Sequence, residues 1–278
     1  MQIPPKTRGR FRRVRLRPVI CFYDAIDEQT FNAREDTRGP WNPDHQHGGP
    51  PAALLGRAIE KLLGEGFAVA RITVVFLRPV PIATLAVTAA ITRDGRTVKE
   101  ATATLATGGK VVAHANALAI RTTEVSLPSG LPLPDAPAPR KPEAGTPYHM
   151  DFFQRPVGYQ TSMEIRFASG TWGRGPVQAW MRMRGQLVAG EAPSPLARVL
   201  AAADSGNGVS VILSPTEYTF VNPDLTVTLM RPLRGEWVCL DAATLPAPNG
   251  IGMADTRLWD EDGIIGRGAQ TLVIARRS

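Results

Sequence analysis

The run Ile72-Thr-Val-Val-Phe-Leu-Arg-Pro79 returns 153 residues later as Leu225-Thr-Val-Thr-Leu-Met-Arg-Pro232. Both are strand-like, rich in β-branched residues, and both end in Arg-Pro. A second match follows in the same order: GKVVAHANALAI (Gly109 to Ile120) against GIIGRGAQTLVI (Gly263 to Ile274). Between the copies, PSGLPLPDAPAPRKPEAGTP (Pro128 to Pro147) holds seven prolines. Proline fixes φ and removes a backbone donor, so this stretch reads as an extended linker. One copy on each side of a linker means a single unit, duplicated. The expected organisation is a basic extension at 1–20, a first unit at 21–122, a linker at 123–155 and a second unit at 156–278.

Each unit reads as one helix followed by an antiparallel meander. Pro50 and Pro51 suit a helix's first turn. AALLGRAIEKLL then puts Leu54, Leu55, Ala58, Ile59 and Leu62 on one stripe, and Gly64 stops it. Strands are expected at 70–77, 84–93, 97–107 and 110–121, with tight turns at Arg-Asp-Gly-Arg (93–96) and Thr-Gly-Gly-Lys (107–110). In the second unit Ser194 caps and Pro195 starts a helix with Leu196, Val199, Leu200 and Ala203 on one face. Strands are expected at 217–230, 236–244, 251–259 and 264–276. The fold class is α+β: two helices, each wrapped by a curled antiparallel sheet. Alone, each unit exposes a sheet edge and a helix flank. Pairing the two sheets into one continuous sheet removes both.

The net charge of +7 invites a nucleic-acid partner. Its distribution argues against one. Residues 1–20 carry Lys6, Arg8, Arg10, Arg12, Arg13, Arg15 and Arg17 and no acid, so the remaining chain sums to zero. That segment is expected to be a disordered extension. It lacks the apolar core of a secretory signal. No apolar run approaches the roughly 20 residues of a membrane helix. Cys21 and Cys239, the only cysteines, are read as free thiols in a reducing, cytoplasmic setting.

The layout resembles the hotdog fold, and local stretches resemble the tandem (double) hotdog acyl-CoA thioesterases of the thioesterase II type. The carrying segments are His47-Gly-Gly49, Phe76-Leu-Arg-Pro79, Asp204 at the end of the second helix, Asn222-Pro-Asp-Leu-Thr226 with Arg231-Pro232, and Asp262-Gly263 through Gln270. The resemblance spans residues 22–276. It implies hydrolysis of an acyl-CoA to acid and coenzyme A, with no cofactor and no metal. It also implies a water-binding trio in the second unit: Asp on Asp204, Gln on Gln270, and a hydroxyl residue at the position of Asn222. Asn222 departs from the pattern, bringing an amide in place of a hydroxyl.

The residues also read on their own terms. Asp204 extends the apolar stripe of Leu196 and Leu200 to a helix C-terminus. Burial and the macrodipole both disfavour its charge there, which suits a base. Gln270 alternates with Gly266, Gly268, Leu272 and Ile274, so it faces the helix, where its amide needs partners. At the repeat offset Gln270 corresponds to Ala117 and Asn222 to Val69, and the matching helix position is about Gly56. One chemically competent site per chain is therefore expected. Gly48 and Gly49 are expected to let a thioester carbonyl approach a helix N-terminus, with His47 shaping the pocket. Arg78 and Arg231 occur in both copies and are read as structural. A hotdog hydratase or dehydratase needs a His paired with an acid, and 150–278 contain no His. A non-catalytic acyl-CoA or acyl-lipid binding protein would need the same tunnel. The outer sheet face is an expected surface for a homodimer.

Overall fold

A computed structural model describes residues 20–131, 137–150, 152–153 and 155–277. The basic segment up to residue 19 and residues 132–136 of the proline-rich stretch lie outside the described residues.

The first half runs β1 (Cys21–Ala25), β2 (Thr30–Ala33), α1 (Gly49–Leu63), β3 (Phe67–Phe76), β4 (Thr84–Asp94), β5 (Val98–Thr107) and β6 (Lys110–Arg121). The second runs β7 (Thr146–Tyr148), α2 (Tyr159–Ser162), β8 (Met163–Ser169), β9 (Val177–Met183), β10 (Gln186–Val188), α3 (Pro195–Ala203), α4 (Gly206–Val209), β11 (Tyr218–Val221), β12 (Asp224–Leu229), β13 (Val238–Pro246), β14 (Ile251–Asp260) and β15 (Gly263–Arg276). All the strands join one sheet in the order β10-β1-β2-β4-β5-β6-β3-β12-β15-β14-β13-β9-β8-β7, with β11 also on β15. The continuous sheet expected from the repeat is present, and the architecture is a double hotdog.

The two halves meet where β3 pairs antiparallel with β12. Thr73 lies opposite Thr226, and their hydroxyls are 3.0 Å apart. These residues differ by the repeat spacing, so a local twofold axis passes between them. Stepping away from the axis, Val74 faces Leu225 and Ile72 faces Val227, each pair exchanging places under the rotation. The same rotation sets α1 and α3 antiparallel: the start of α1 meets the end of α3, and Glu60 of α1 accepts from Ser194 Oγ at the other end, 2.5 Å away. Leu54, Leu55 and Ile59 of α1 and Val199 and Leu200 of α3 are fully buried. Each such side chain contributes about 1.5–3 kcal/mol of burial. A Cβ on Gly49 would collide with the carbonyl oxygen of Ala201, so only glycine permits this approach.

Several elements differ from the sequence reading. Further strands precede the helix in each half: β1 and β2 in the first, β7 to β10 in the second. They extend the sheet beyond the expected meander. Charged residues in Cys21–Ala25 and Met163–Ser169 interrupt the apolar runs, although Met163, Ile165 and Phe167 alternate inward. The proline-rich stretch contains β7, which adds an edge strand to β8. The strand expected at 217–230 is broken into β11 and β12. Pro223 has no N–H to give a ladder, and it falls at the repeat position of Ala70, where β3 carries a bulge. Finally, β10 crosses to pair in parallel with β1 of the first half.

Because β3–β12 and β1–β10 tie the halves at two places, cutting the exposed 123–131 segment should leave them associated. The nicked protein is expected to unfold in a single calorimetric transition and to elute from size exclusion with the intact chain. Two separated transitions would show that the halves are independent.

Candidate active site

Four elements converge at one end of the helix pair. Asp204 caps α3, with φ −64° and ψ −12°. The start of α1 delivers His47, Gly48 and Gly49. The break between β11 and β12 frees Asn222 from the ladder. The inward face of β15 presents Gln270. Asp204 is 6% exposed and Gln270 2%.

Several neighbours hold the carboxylate. Asn222 Nδ2 donates to Asp204 Oδ1 at 2.8 Å and to the Asp224 carbonyl at 3.0 Å. Gln270 Nε2 donates to the Asp204 carbonyl at 2.9 Å and to Oδ1 at 3.3 Å. Gln270 Oε1 accepts from the Asn207 N–H at 2.9 Å. Both ends of the glutamine amide are thus spent on fixing Asp204 and α4. Asp204 Oδ2 lies 3.1 Å from His47 Nδ1. A Cβ on Gly48 would stand 2.7 Å from Oδ2, so the glycine lets the backbone press against the acid.

The electrostatics follow from this packing. Burial pushes the Asp204 carboxyl up to about 7, opposed by its bonds from Asn222, Gln270 and the Gly49 and Gly48 N–H groups. Burial likewise depresses His47 to about 3. Nδ1 of His47 accepts the Gly49 N–H at 3.1 Å, so that nitrogen is unprotonated in the neutral ring. Its lone pair therefore opposes the facing Oδ2 lone pair unless a proton lies between them. A basic, neutral-poised carboxylate is the result. Tyr159 supports the group from behind. Its ring stacks on His47 at 3.8 Å, and its hydroxyl donates to the Ala201 carbonyl at 2.6 Å and lies 2.9 Å from Ser205 Oγ.

Asp204 opens onto a cavity of about 370 Å³. His47, Asn207 and Asn222 line its polar end, with Phe76 beside Gly48; Trp41, Met150, Phe152, Phe153, Trp172 and Phe220 form an apolar wall. Phe152 stacks on Trp172 with centroids 5.5 Å apart, and Trp41 meets Phe220 edge-on at 5.2 Å. Among the described residues no cluster of His, Cys, Asp and Glu is arranged to hold a metal ion. No described helix is long and apolar enough to cross a membrane.

All six residues singled out from sequence come together here, though two relationships differ from expectation. The amides of Gly48 and Gly49 are turned to the Asp204 carboxylate, and that of Gly49 also to His47 Nδ1. A histidine does stand beside Asp204: the first half supplies what the second half's sequence lacks. The rotation that joins the helices carries His47 across. Sequence reading missed Tyr159, Phe76 and Asn207. Asn207 left a trace, being polar in the Ser205-Gly-Asn-Gly208 stretch after an apolar helix. Tyr159 left none, because its role depends on which loop packs behind α1.

The fold and the buried acid at its helix junction define a double hotdog enzyme scaffold. Residues 37–120 match the acyl-CoA thioesterase N-terminal domain and residues 132–274 the acyl-CoA thioesterase C-terminal domain. The chain belongs to the acyl-CoA thioesterase family and is a thioester hydrolase. No curated protein matches it in sequence. Among solved structures, an acyl-CoA thioesterase II from Mycobacterium marinum is 15% identical, with a TM-score of 0.64 over 92% of this chain and 96% of that one. A hotdog-fold protein of unknown function from Alicyclobacillus acidocaldarius is 18% identical, with a TM-score of 0.70 over 91% and 96%. A Thermobifida fusca protein described as a candidate thioesterase II is 17% identical, with a TM-score of 0.70 over 91% and 95%. At these identities the three structures establish the fold.

Asp204 also makes a stability prediction. The carboxyl binds its proton more tightly folded, at about 7, than unfolded, near 4. Its contribution is therefore complete below about pH 4 and is lost as pH rises through 7. Asp204→Asn removes that loss. Relative to the parent, the variant's melting temperature should improve steadily from pH 5 to pH 8. A constant offset across that range would mean that the carboxyl is not shifted upward.

Proposed function

We propose that the protein hydrolyses acyl-CoA thioesters to a free acid and coenzyme A, with Asp204 as general base. The observation that carries this reading is a carboxylate buried at the polar end of an apolar cavity and poised near neutral pH by its surroundings. Asp204 takes a proton from a water in the cavity as that water attacks the thioester carbonyl. The tetrahedral intermediate collapses with loss of the thiolate, and the proton on Asp204 passes to the leaving sulfur. Asn222 and Gln270 fix the carboxylate's orientation. The Asn222 carbonyl oxygen makes no hydrogen bond among the described residues, which leaves it to orient the water. The amide thereby performs the task expected of a hydroxyl. His47 stays neutral and keeps Asp204 basic. The acyl group lies along the Phe152–Trp172 wall.

The His47–Asp204 contact favours one alternative, hydration of an enoyl-CoA, in which a His and an acid share proton transfer at an alkene. One experiment separates the two: acyl-CoA and enoyl-CoA panels, followed for free thiol release and for loss of the enoyl absorbance. Thiol release from saturated acyl-CoA supports hydrolysis. Loss of the enoyl absorbance without thiol supports hydration. Neither signal, with acyl-CoA still bound, would leave a binding protein.

For hydrolysis, Asp204→Asn should lower turnover by about 10²-fold or more, in the range for loss of a general base. Gln270→Ala should lose less, because it removes a support and not the base. The parent's kcat/KM should rise with pH along a limb centred near 7, where Asp204 ionises. A profile flat from pH 5 to 9 would exclude Asp204 as the base.

A further inference from the structure

The duplicated Arg-Pro pairs have diverged in a way that separates their roles. Arg231 forms a two-point ion pair with the fully buried carboxylate of Asp260 and donates to the Gly263 carbonyl at 3.2 Å. Asp260 and Gly263 are the residues that close the β14–β15 hairpin. In the first half the β5–β6 hairpin is closed by Thr107 and Lys110, each 153 residues earlier than its counterpart. The place of the acid that anchors Arg231 is therefore held in the first half by Thr107. Its hydroxyl is occupied, donating to the Thr84 carbonyl at 2.9 Å. The glycine has become a lysine.

Arg78 is left with one side-chain bond, from its guanidinium to the Val111 carbonyl at 2.9 Å. It is exposed and lines the catalytic cavity, and no acid lies within ion-pair distance among the described residues. It is the only permanently charged cation among the described residues lining that cavity, and Asp204 is the only acid. Lys110 is exposed beside Val111, on the same hairpin end. An arginine locked to a buried acid is a strut. A guanidinium released from its acid, at the solvent side of a cavity with a lysine nearby, is a binding group for phosphate oxygens.

We propose that Arg78, assisted by Lys110, binds the phosphate groups of the substrate's coenzyme A portion, while Arg231 has a structural role. This rests on the acyl-CoA reading above. It also accounts for a cavity lining in which Arg78 is the only permanent cation among the described residues: the pantetheine arm that would cross the cavity is neutral, and the anionic end stays outside.

The test compares two thioesters of the same acid, the coenzyme A ester and the N-acetylcysteamine ester, which has no phosphate. Arg78→Ala should lower the ratio of kcat/KM for the first over the second by roughly tenfold, the loss of one charge-assisted contact. Adding Lys110→Ala should lower it further, and rising salt should lower the parent's ratio more than the variant's. Arg231→Ala should instead lower the melting temperature and leave the ratio unaltered. Calorimetric binding of adenosine 3′,5′-bisphosphate, which needs no turnover, should weaken by a similar factor in Arg78→Ala. If no thioester is hydrolysed but the bisphosphate binds in an Arg78-dependent way, the phosphate site stands and the hydrolytic reading falls. An unchanged ratio in a normally melting Arg78→Ala protein would overturn the proposal. So would failure of the parent to bind the bisphosphate.

Discussion

The antiparallel pairing of β3 with β12 is the constraint from which the molecule's asymmetric chemistry follows. Thr73 and Thr226 face each other across it, so each half presents the same strand to the other. A sheet edge that would template aggregation is covered by its own duplicate. The same rotation lays α1 and α3 antiparallel, so that two helix junctions arise, one at each end of the pair. At one, the start of α1 meets Asp204 at the end of α3. At the other, Ser194 meets Glu60 and Arg57 pairs with Glu191. At the first junction the Asp204 carboxylate is buried beside the cavity; at the second the Arg57–Glu191 ion pair borders a separate cavity of about 330 Å³.

The buried Asp204 carboxylate is expensive for the fold. Asp204 lies at a helix C-terminus, where the dipole opposes its charge, and in an apolar environment that would keep it neutral. Donors from Asn222, Gln270 and the first turn of α1 limit the penalty without removing it. The His47 lone pair works against them. These opposing terms leave the carboxyl able to lose its proton near neutrality and still willing to take one back. A fully compensated carboxylate would be stable and a poor base; an uncompensated one would remain protonated. Glycine at 48 and 49 is what allows an N-terminal helical turn to come this close.

Divergence between the copies shows which parts of the unit serve the fold and which serve chemistry. Ala117 and Val69 occupy in the first half the places of Gln270 and Asn222 and simply fill the core. Ala70 makes a bulge where Pro223 makes a full break. The bulge keeps the strand paired. The break releases Asn222 toward Asp204. Arg78 and Arg231 diverge in the opposite sense, with the buried ion pair lying in the second half.

The repeat, the connector and the two apolar helix stripes were legible because they depend on local periodicity and on proline and glycine chemistry. That Gln270 and Asp204 face inward was legible for the same reason, since a strand's period of two and a helix's of 3.6 assign a side chain to a face without reference to the rest of the chain. Which faces meet is a different matter. Nothing local brings His47 to Asp204, stacks Tyr159 behind it, turns the Gly48 and Gly49 amides to the carboxylate, or lends β10 to β1. Those contacts join residues far apart in the chain, and their geometry is set by the twofold packing of two sheets and two helices. Sequence alone determined that this is a duplicated helix-and-sheet unit in which only the second copy carries the polar set of Asp204, Asn222 and Gln270. Only the tertiary structure decided that Asp204 meets a histidine of the other half, because a neighbour across a symmetry axis leaves no periodic trace in either half.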